Sequence, residues 1–182
     1  SRGLGDVYKR QLLLLCLAPL LLPALPPLLA STALLLPIYM IHQYEEHDND
    51  RFRLYFNQTI GGGHEVLSPL AVFITNVPGV WGVIVLSLYG AIRIHPGLAL
   101  IAVDLVLVNA SVHIAHAILF RGYNPGLATA LVLFLPLGGY SLRQVQQAGG
   151  GAWQWQLLAL TAAIAIHAAI LVHVRLSLIH IS

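Results

Sequence analysis

Five long apolar runs are the feature of this 182-residue chain that most limits how it can fold. The runs are residues 12–41, 66–92, 98–120, 126–142 and 153–174. A membrane-spanning helix needs about 20 mostly apolar residues, whereas a membrane strand needs about 10 residues of alternating polarity. Hydrophobic residues make up 58% of the chain and charged residues 9%, against roughly 25% charged in a typical soluble domain. The pattern therefore predicts an all-α fold, a polytopic transmembrane helix bundle of about five spans.

Prolines divide the first run. Pro26 and Pro27 stop a continuous helix, so that a helix is expected to begin near Leu28 and to continue to His47. The preceding part, residues 12–25, is either the remnant of a signal-like segment or a broken helix. Few residues lie outside the runs, and we therefore expect one membrane domain over residues 12–175.

Both ends of the chain look like translated sequencing-adaptor DNA. Residues 1–11 back-translate to a transposase-end adaptor, and residues 176–182 back-translate to the reverse complement of part of it. Such segments are excluded from fold reasoning. Without them the basic and acidic residues are equal in number, so the sequence pI of ≈ 8.9 does not indicate a nucleic-acid partner. The remaining basic residues are all Arg in an Ala-, Leu- and Gly-rich chain, which favours a bacterial protein, and we expect it in the inner (cytoplasmic) membrane.

A first cluster of ionisable residues ends the first predicted helix. His42, Glu45 and Glu46 are three and four residues apart and share one helix face. A His and a carboxylate at this spacing can bind a metal from one helix, or they can share a proton. The alternative is a helix end that reaches water, where His47 and the acidic residues after it belong.

A second cluster lies in the third run. Asn109, His113 and His116 follow an i, i+4, i+7 pattern and form a polar stripe. In hydrocarbon such a stripe has to face other helices or a water-filled cavity, although its hydrogen bonds can also serve only to hold helices together. Asn76 in the second run has the same two interpretations. For His167 in the last run we expect a packing or interfacial position.

Four short motifs occur in order along the runs. They are His42-x-x-Glu45-Glu46, Phe73-x-x-Asn76, Asn109-Ala-x-x-His113 and Tyr123-x-Pro125-Gly126-x-x-Thr129. This set resembles the HXXEE family, and the resemblance covers about residues 28–142. It implies a small integral membrane protein of uncharacterised function.

Three functions fit these residues. The first is a membrane-embedded enzyme of the lipid bilayer acting on a small molecule or a lipid, with a divalent metal (Zn, Fe or Mn) or with acid–base chemistry alone. Its predicted residues are His42, Glu45, His113 and His116 as metal ligands, Glu45, Glu46 and His113 as catalytic groups, and Asn76, Asn109 and Tyr123 as residues that orient ligands or substrate. The alternatives are a proton- or cation-coupled transporter or channel, and a non-catalytic accessory membrane protein whose polar residues fix helix packing.

Overall fold

A computed structural model describes residues 22–181 of the chain, and these residues form an all-helical protein without strands. The helices are α1 Pro27–His47, α2 Arg51–Thr59, α3 Pro69–Arg93, α4 Ala99–Phe120, α5 residues 127–145 and α6 Trp153–Ile181. Short 3₁₀ turns lie at Leu22–Ala24, Asp48–Asp50 and Pro96–Leu98, and a π-helical segment, Gln146–Gly150, follows α5. The predicted all-α fold is therefore confirmed.

Two sequence predictions concern the chain ends. The adaptor-like residues 1–11 and the beginning of the first run lie outside the described residues. At the other end, α6 continues into the adaptor-like segment as far as Ile181. The helix predicted to begin near Leu28 begins at Pro27, where proline fits the first helical position because it has no N–H to leave unpaired.

Three segments are long and apolar enough to cross a membrane: Pro69–Arg93, Pro96–Phe120 and Trp153–Leu176. Two of the five predicted spans, α1 and α5, are not among them. The last turns of α1 carry the polar sequence from His42 to His47, and α5 ends in Arg143 and Gln144, so both are less apolar. The structure is thus consistent with a membrane protein and supports three spans by length and composition.

Helix α4 is the centre of the bundle. It packs against α1, α3, α5 and α6, and half of its most apolar window is buried, against 17% in each of the other two candidate spans. Leu100, Val103 and Leu105 of α4 are completely buried. Within the polar stripe of α4, His113 is buried and Asn109 and His116 are partly buried, whereas few residues of the apolar windows of α3 and α6 are buried.

Helix α3 is continuous but not uniform. Ser68 caps its first turn by accepting a hydrogen bond from the N–H of Ala71 at 3.2 Å, and Pro69 occupies the first helical position. Its middle, Thr75–Trp81, is π-helical and contains Pro78. A proline inside an α-helix removes one backbone hydrogen bond and clashes with the preceding turn, and the wider π geometry is a common way to accommodate an extra residue near a functional site.

Phe134 of α5 provides a test of the core next to α1. Its side chain is completely buried, and its ring centroid lies 5.0 Å from that of Tyr39 and 4.3 Å from that of His42. We expect Phe134→Ala to lower the free energy of unfolding by about 3–5 kcal/mol, because it leaves a cavity. Thermal unfolding in detergent measures the change, with Val132→Ala as control, since that side chain is 69% exposed. Equal melting temperatures for the two variants would contradict this packing.

Candidate functional site

Two imidazoles face one buried carboxylate at the end of α1. Glu46 is 6% exposed, and one of its oxygens, Oε1, lies 3.4 Å from Nε2 of His42 and 3.3 Å from Nε2 of His113. His42 is one helical turn before Glu46 on α1, and His113 comes from α4. One ligand atom from each of the three residues lies within 4.8 Å of the other two. We call these three residues the His–Glu cluster.

The ring of His113 is held by Asn124. Its Nδ1 lies 2.6 Å from Oδ1 of Asn124, and the amide of Asn124 donates back to the backbone carbonyl of His113 at 3.0 Å. An amide oxygen only accepts hydrogen bonds, so the proton of the neutral ring is on Nδ1. The lone pair of Nε2 therefore points to Glu46.

The ring of His42 is held in the same way by Thr129. Nδ1 of His42 lies 2.8 Å from the Thr129 hydroxyl, and that hydroxyl donates its proton to Oε2 of Glu45. The hydroxyl must then accept from His42, which again leaves the lone pair of the neutral ring on Nε2. This Nε2 is buried and has no hydrogen-bond partner among the described residues.

If both rings are neutral, the His–Glu cluster therefore brings three electron-pair donors together without an N–H or O–H between them. Buried polar atoms are almost always paired, because an unpaired one loses its hydration without compensation. A proton carried on one Nε2, or a metal ion bound by all three side chains, would satisfy this arrangement. Metal-binding histidines are commonly held in a comparable way, by a hydrogen-bond acceptor at the ring nitrogen that faces away from the metal.

Glu45 has a different position from that of Glu46. Its carboxylate accepts hydrogen bonds from the N–H groups of Ala128 and Thr129 at 3.1 and 2.8 Å, and from the Tyr123 hydroxyl at 2.7 Å. These N–H groups belong to the first turn of α5, where backbone donors lack helical partners and a negative charge is stabilised. The predicted ligand Glu45 therefore lies at the N-terminus of α5, and Glu46 lies in the cluster instead.

Tyr123, which donates a hydrogen bond to Glu45, lies in the loop before α5. Partial burial and its hydrogen bond to the Glu45 carboxylate raise the pKa of Tyr123 to about 12. The phenol consequently stays protonated at neutral pH and remains a donor to Glu45. That Tyr123 orients ligands or substrate remains a prediction. Hydrogen bonds connect its hydroxyl through Glu45 and Thr129 to His42.

Two cavities lie on either side of Glu46. The inner cavity, of ≈ 70 Å³, is bounded by α1, α3, α4 and α6 and includes Tyr39, Asn76, Val80 and Asn109 in its wall. The aromatic cavity, of ≈ 140 Å³, takes its name from Phe52, Tyr55 and Phe56 of α2 and also includes His113 and His116. Both cavities therefore adjoin the His–Glu cluster.

The other predicted residues line these cavities rather than join the cluster. Asn109 donates to the Tyr39 hydroxyl at 3.0 Å, and Asn76 donates to Nε2 of His47 at 2.7 Å. The ring of His116 stacks on Phe120 with a centroid distance of 4.3 Å. The structure thus brings together two of the four predicted ligands, His42 and His113, with Glu46 as the third member.

His167 is a site residue that the sequence analysis placed in helix packing. It lies in the walls of both cavities, and its Nδ1 donates to the Ala163 carbonyl at 2.8 Å. The free electron pair of the neutral ring is therefore on Nε2. The only available sign in the sequence was a single histidine in an apolar helix, which does not reveal the partners that tertiary packing provides.

Gly126 places the loop before α5 against both imidazoles. Its φ is +102°, and a Cβ at this position would lie 2.5 Å from Cε1 of His113 and 2.8 Å from Cε1 of His42. We expect Gly126→Ala to lower the free energy of unfolding by roughly 1–3 kcal/mol from backbone strain alone, measured by thermal unfolding in detergent. Gly139→Ala is the control, because a Cβ there meets nothing within 4 Å and alanine stabilises a helix interior by about 0.5–1 kcal/mol. An unchanged melting temperature for Gly126→Ala would contradict the described loop.

Comparison with known proteins is in keeping with the motifs. The model of a family described as a protein of unknown function with an HXXEE motif matches residues 33–141. No curated protein and no solved structure gives a significant match to the chain. The match covers more than half of the sequence and contains the whole His–Glu cluster together with Asn124 and Thr129. The chain therefore belongs to the HXXEE-motif family.

Proposed function

We propose that this protein is an integral membrane enzyme that binds one divalent metal ion at His42, Glu46 and His113. The observation that carries the proposal is the convergence of three buried electron-pair donors whose orientation is fixed by Thr129 and Asn124. Nothing in helix packing requires two imidazoles to turn their lone pairs towards a carboxylate. Binding of one metal ion by all three side chains would account for this orientation.

The distances support a metal of the first transition series. Zinc–nitrogen and zinc–oxygen bonds of about 2.0–2.1 Å in tetrahedral geometry separate neighbouring ligand atoms by about 3.3–3.4 Å. The two separations from Glu46 Oε1 are 3.4 and 3.3 Å. Imidazole and carboxylate ligands suit zinc, iron and manganese, so the proposal includes these three metals.

Catalysis is favoured over a purely structural metal by the number of ligands and by the surroundings. Structural zinc sites are closed by four protein ligands, whereas catalytic sites have three and leave a position for water or substrate. Here three ligands adjoin two cavities. When bound, the metal would polarise a substrate oxygen or a water molecule, while His167, with its free Nε2, could accept a proton from the same cavities.

A shared proton is the second candidate for the cation. One protonated imidazole would form an ion pair with Glu46 across the observed 3.3–3.4 Å. The protein would then be an acid–base enzyme without metal, with Glu46 and His113 as its titrating groups. With either cation, we propose that α1 and α5 also belong to the membrane bundle, beside the three segments that are long and apolar enough to span it.

Metal analysis distinguishes the two candidates. We expect near-stoichiometric zinc, iron or manganese in protein purified without a His tag, measured by elemental mass spectrometry. His42→Ala, Glu46→Gln and His113→Ala should each lose it, because each removes one ligand. His116→Ala is the matched control from the same helix as His113 and should retain the metal. Folded wild-type protein that stays metal-free after incubation with all three metals would exclude the metalloenzyme and leave the acid–base candidate.

Thr129 provides a second prediction, for a residue that does not touch the metal. Thr129→Val keeps the shape of the side chain but removes the hydroxyl between His42 and Glu45. We expect metal affinity to fall by about 10- to 100-fold, as for other residues that hold a ligating histidine from behind. Competition with a chelator measures this affinity. Thr129→Ser should restore it, and equal affinities in the Val and Ser variants would show that the hydroxyl does not position His42.

A further inference from the structure

A groove on the outside of the bundle separates α3 from α6. It has a volume of ≈ 380 Å³, which is within the range of small-molecule sites. Its wall consists of apolar side chains and Gly79, with Thr75 and His173 as the polar residues. Gly79 belongs to the π-helical part of α3, and its lack of a side chain contributes to the width. We call this feature the lateral groove.

The lateral groove meets the inner cavity. Both are lined by Leu67, Thr75, Ile166 and Ile170, and the inner cavity ends at Glu46. A ligand that lies in the groove is therefore separated from Glu46 by these shared side chains and by the ≈ 70 Å³ inner cavity. The groove and the inner cavity therefore share a wall, and movement of these side chains would connect them.

The groove lies between two candidate membrane spans, and this position indicates which kind of molecule can occupy it. Both walls are candidate membrane spans, and only 17% of the apolar window of each is buried in the protein. In a bilayer these helices face hydrocarbon, so the groove opens sideways towards lipid chains and not towards water. Its apolar lining can satisfy a methylene chain but offers few partners to a polar metabolite.

We propose that the lateral groove holds the hydrocarbon chain of a bilayer lipid and is the route by which a lipid substrate reaches Glu46. The inference rests on the proposed function in one respect only, that the occupant of the groove is the substrate of the His–Glu cluster. The chain lies between α3 and α6, and the part of the lipid next to Thr75 and Ile170 enters the inner cavity. The substrate class is thus a lipid with at least one long apolar chain.

Photolabelling in nanodiscs tests the route. The probe is a phosphatidylglycerol with a diazirine in one acyl chain, mixed with unlabelled phosphatidylglycerol, and labelled residues are located by peptide mass spectrometry. Val80 is 3% exposed and lines the inner cavity, so a chain can reach it only by entering. Val172 is 57% exposed and serves as the outward reference. We expect labelling at both positions in the wild-type protein.

Variants on the groove wall provide matched controls. Ala169→Trp fills the groove from α6, and Ala71→Trp fills it from α3. Both should lower labelling of Val80 several-fold without changing that of Val172. Ala168→Trp, on the same helix but outside the groove lining, should change neither. Absence of label at Val80 in the wild-type protein, or equal labelling of Val80 in the Ala168 and Ala169 variants, would overturn the proposal.

The metal content of the same samples separates the two proposals. Labelling of Val80 that responds to Ala169→Trp, in protein that stays metal-free after incubation with zinc, iron and manganese, would retain the lipid groove and exclude the metalloenzyme. Stoichiometric metal without label at Val80 would retain the metal site and exclude this route. Neither result depends on a measured activity.

Discussion

The buried carboxylate of Glu46 is the group on which the arrangement of the site depends. A carboxylate removed from water needs a positive partner, because desolvation of an isolated charge costs far more than helix packing returns. The structure gives it two imidazoles on opposite helices, and their protons are engaged on the far side of each ring by Thr129 and Asn124. His42 and Glu46 come from α1 and His113 comes from α4, so the contacts around Glu46 join these two helices.

The two adjacent glutamates at the end of α1 have different partners. Neighbouring residues on a helix point about 100° apart, so Glu45 and Glu46 cannot both face His113. Glu45 turns to the first turn of α5 and accepts its free N–H groups, whereas Glu46 turns inward. Because Thr129 contacts both Glu45 and His42, the outer glutamate influences the inner site without entering it.

The length of the apolar runs was sufficient to predict the all-α fold and a helix at α4. The spacing of the polar residues marked His42 and His113 as candidates, which the structure brings together at Glu46. It could not assign Glu45 and Glu46, since both are compatible with His42 at a spacing of three or four residues, and only the position of α5 decides between them. His116 follows His113 by one turn and shares its face, yet it packs on Phe120 beyond the cluster. His167 lies in both cavities because α6 packs along α4, a tertiary contact that leaves no pattern in the sequence.

The order of the helices in the chain has a consequence for how the site comes into being. The first two members of the His–Glu cluster are synthesised with α1, and the third follows only with α4. At roughly 5–20 residues per second, several seconds of translation separate them. During that interval the polar end of α1 exists without His113, Asn124 and Thr129. The cluster is complete once α4 has docked, but Thr129 of α5 and the α6 residues that line both cavities are made still later.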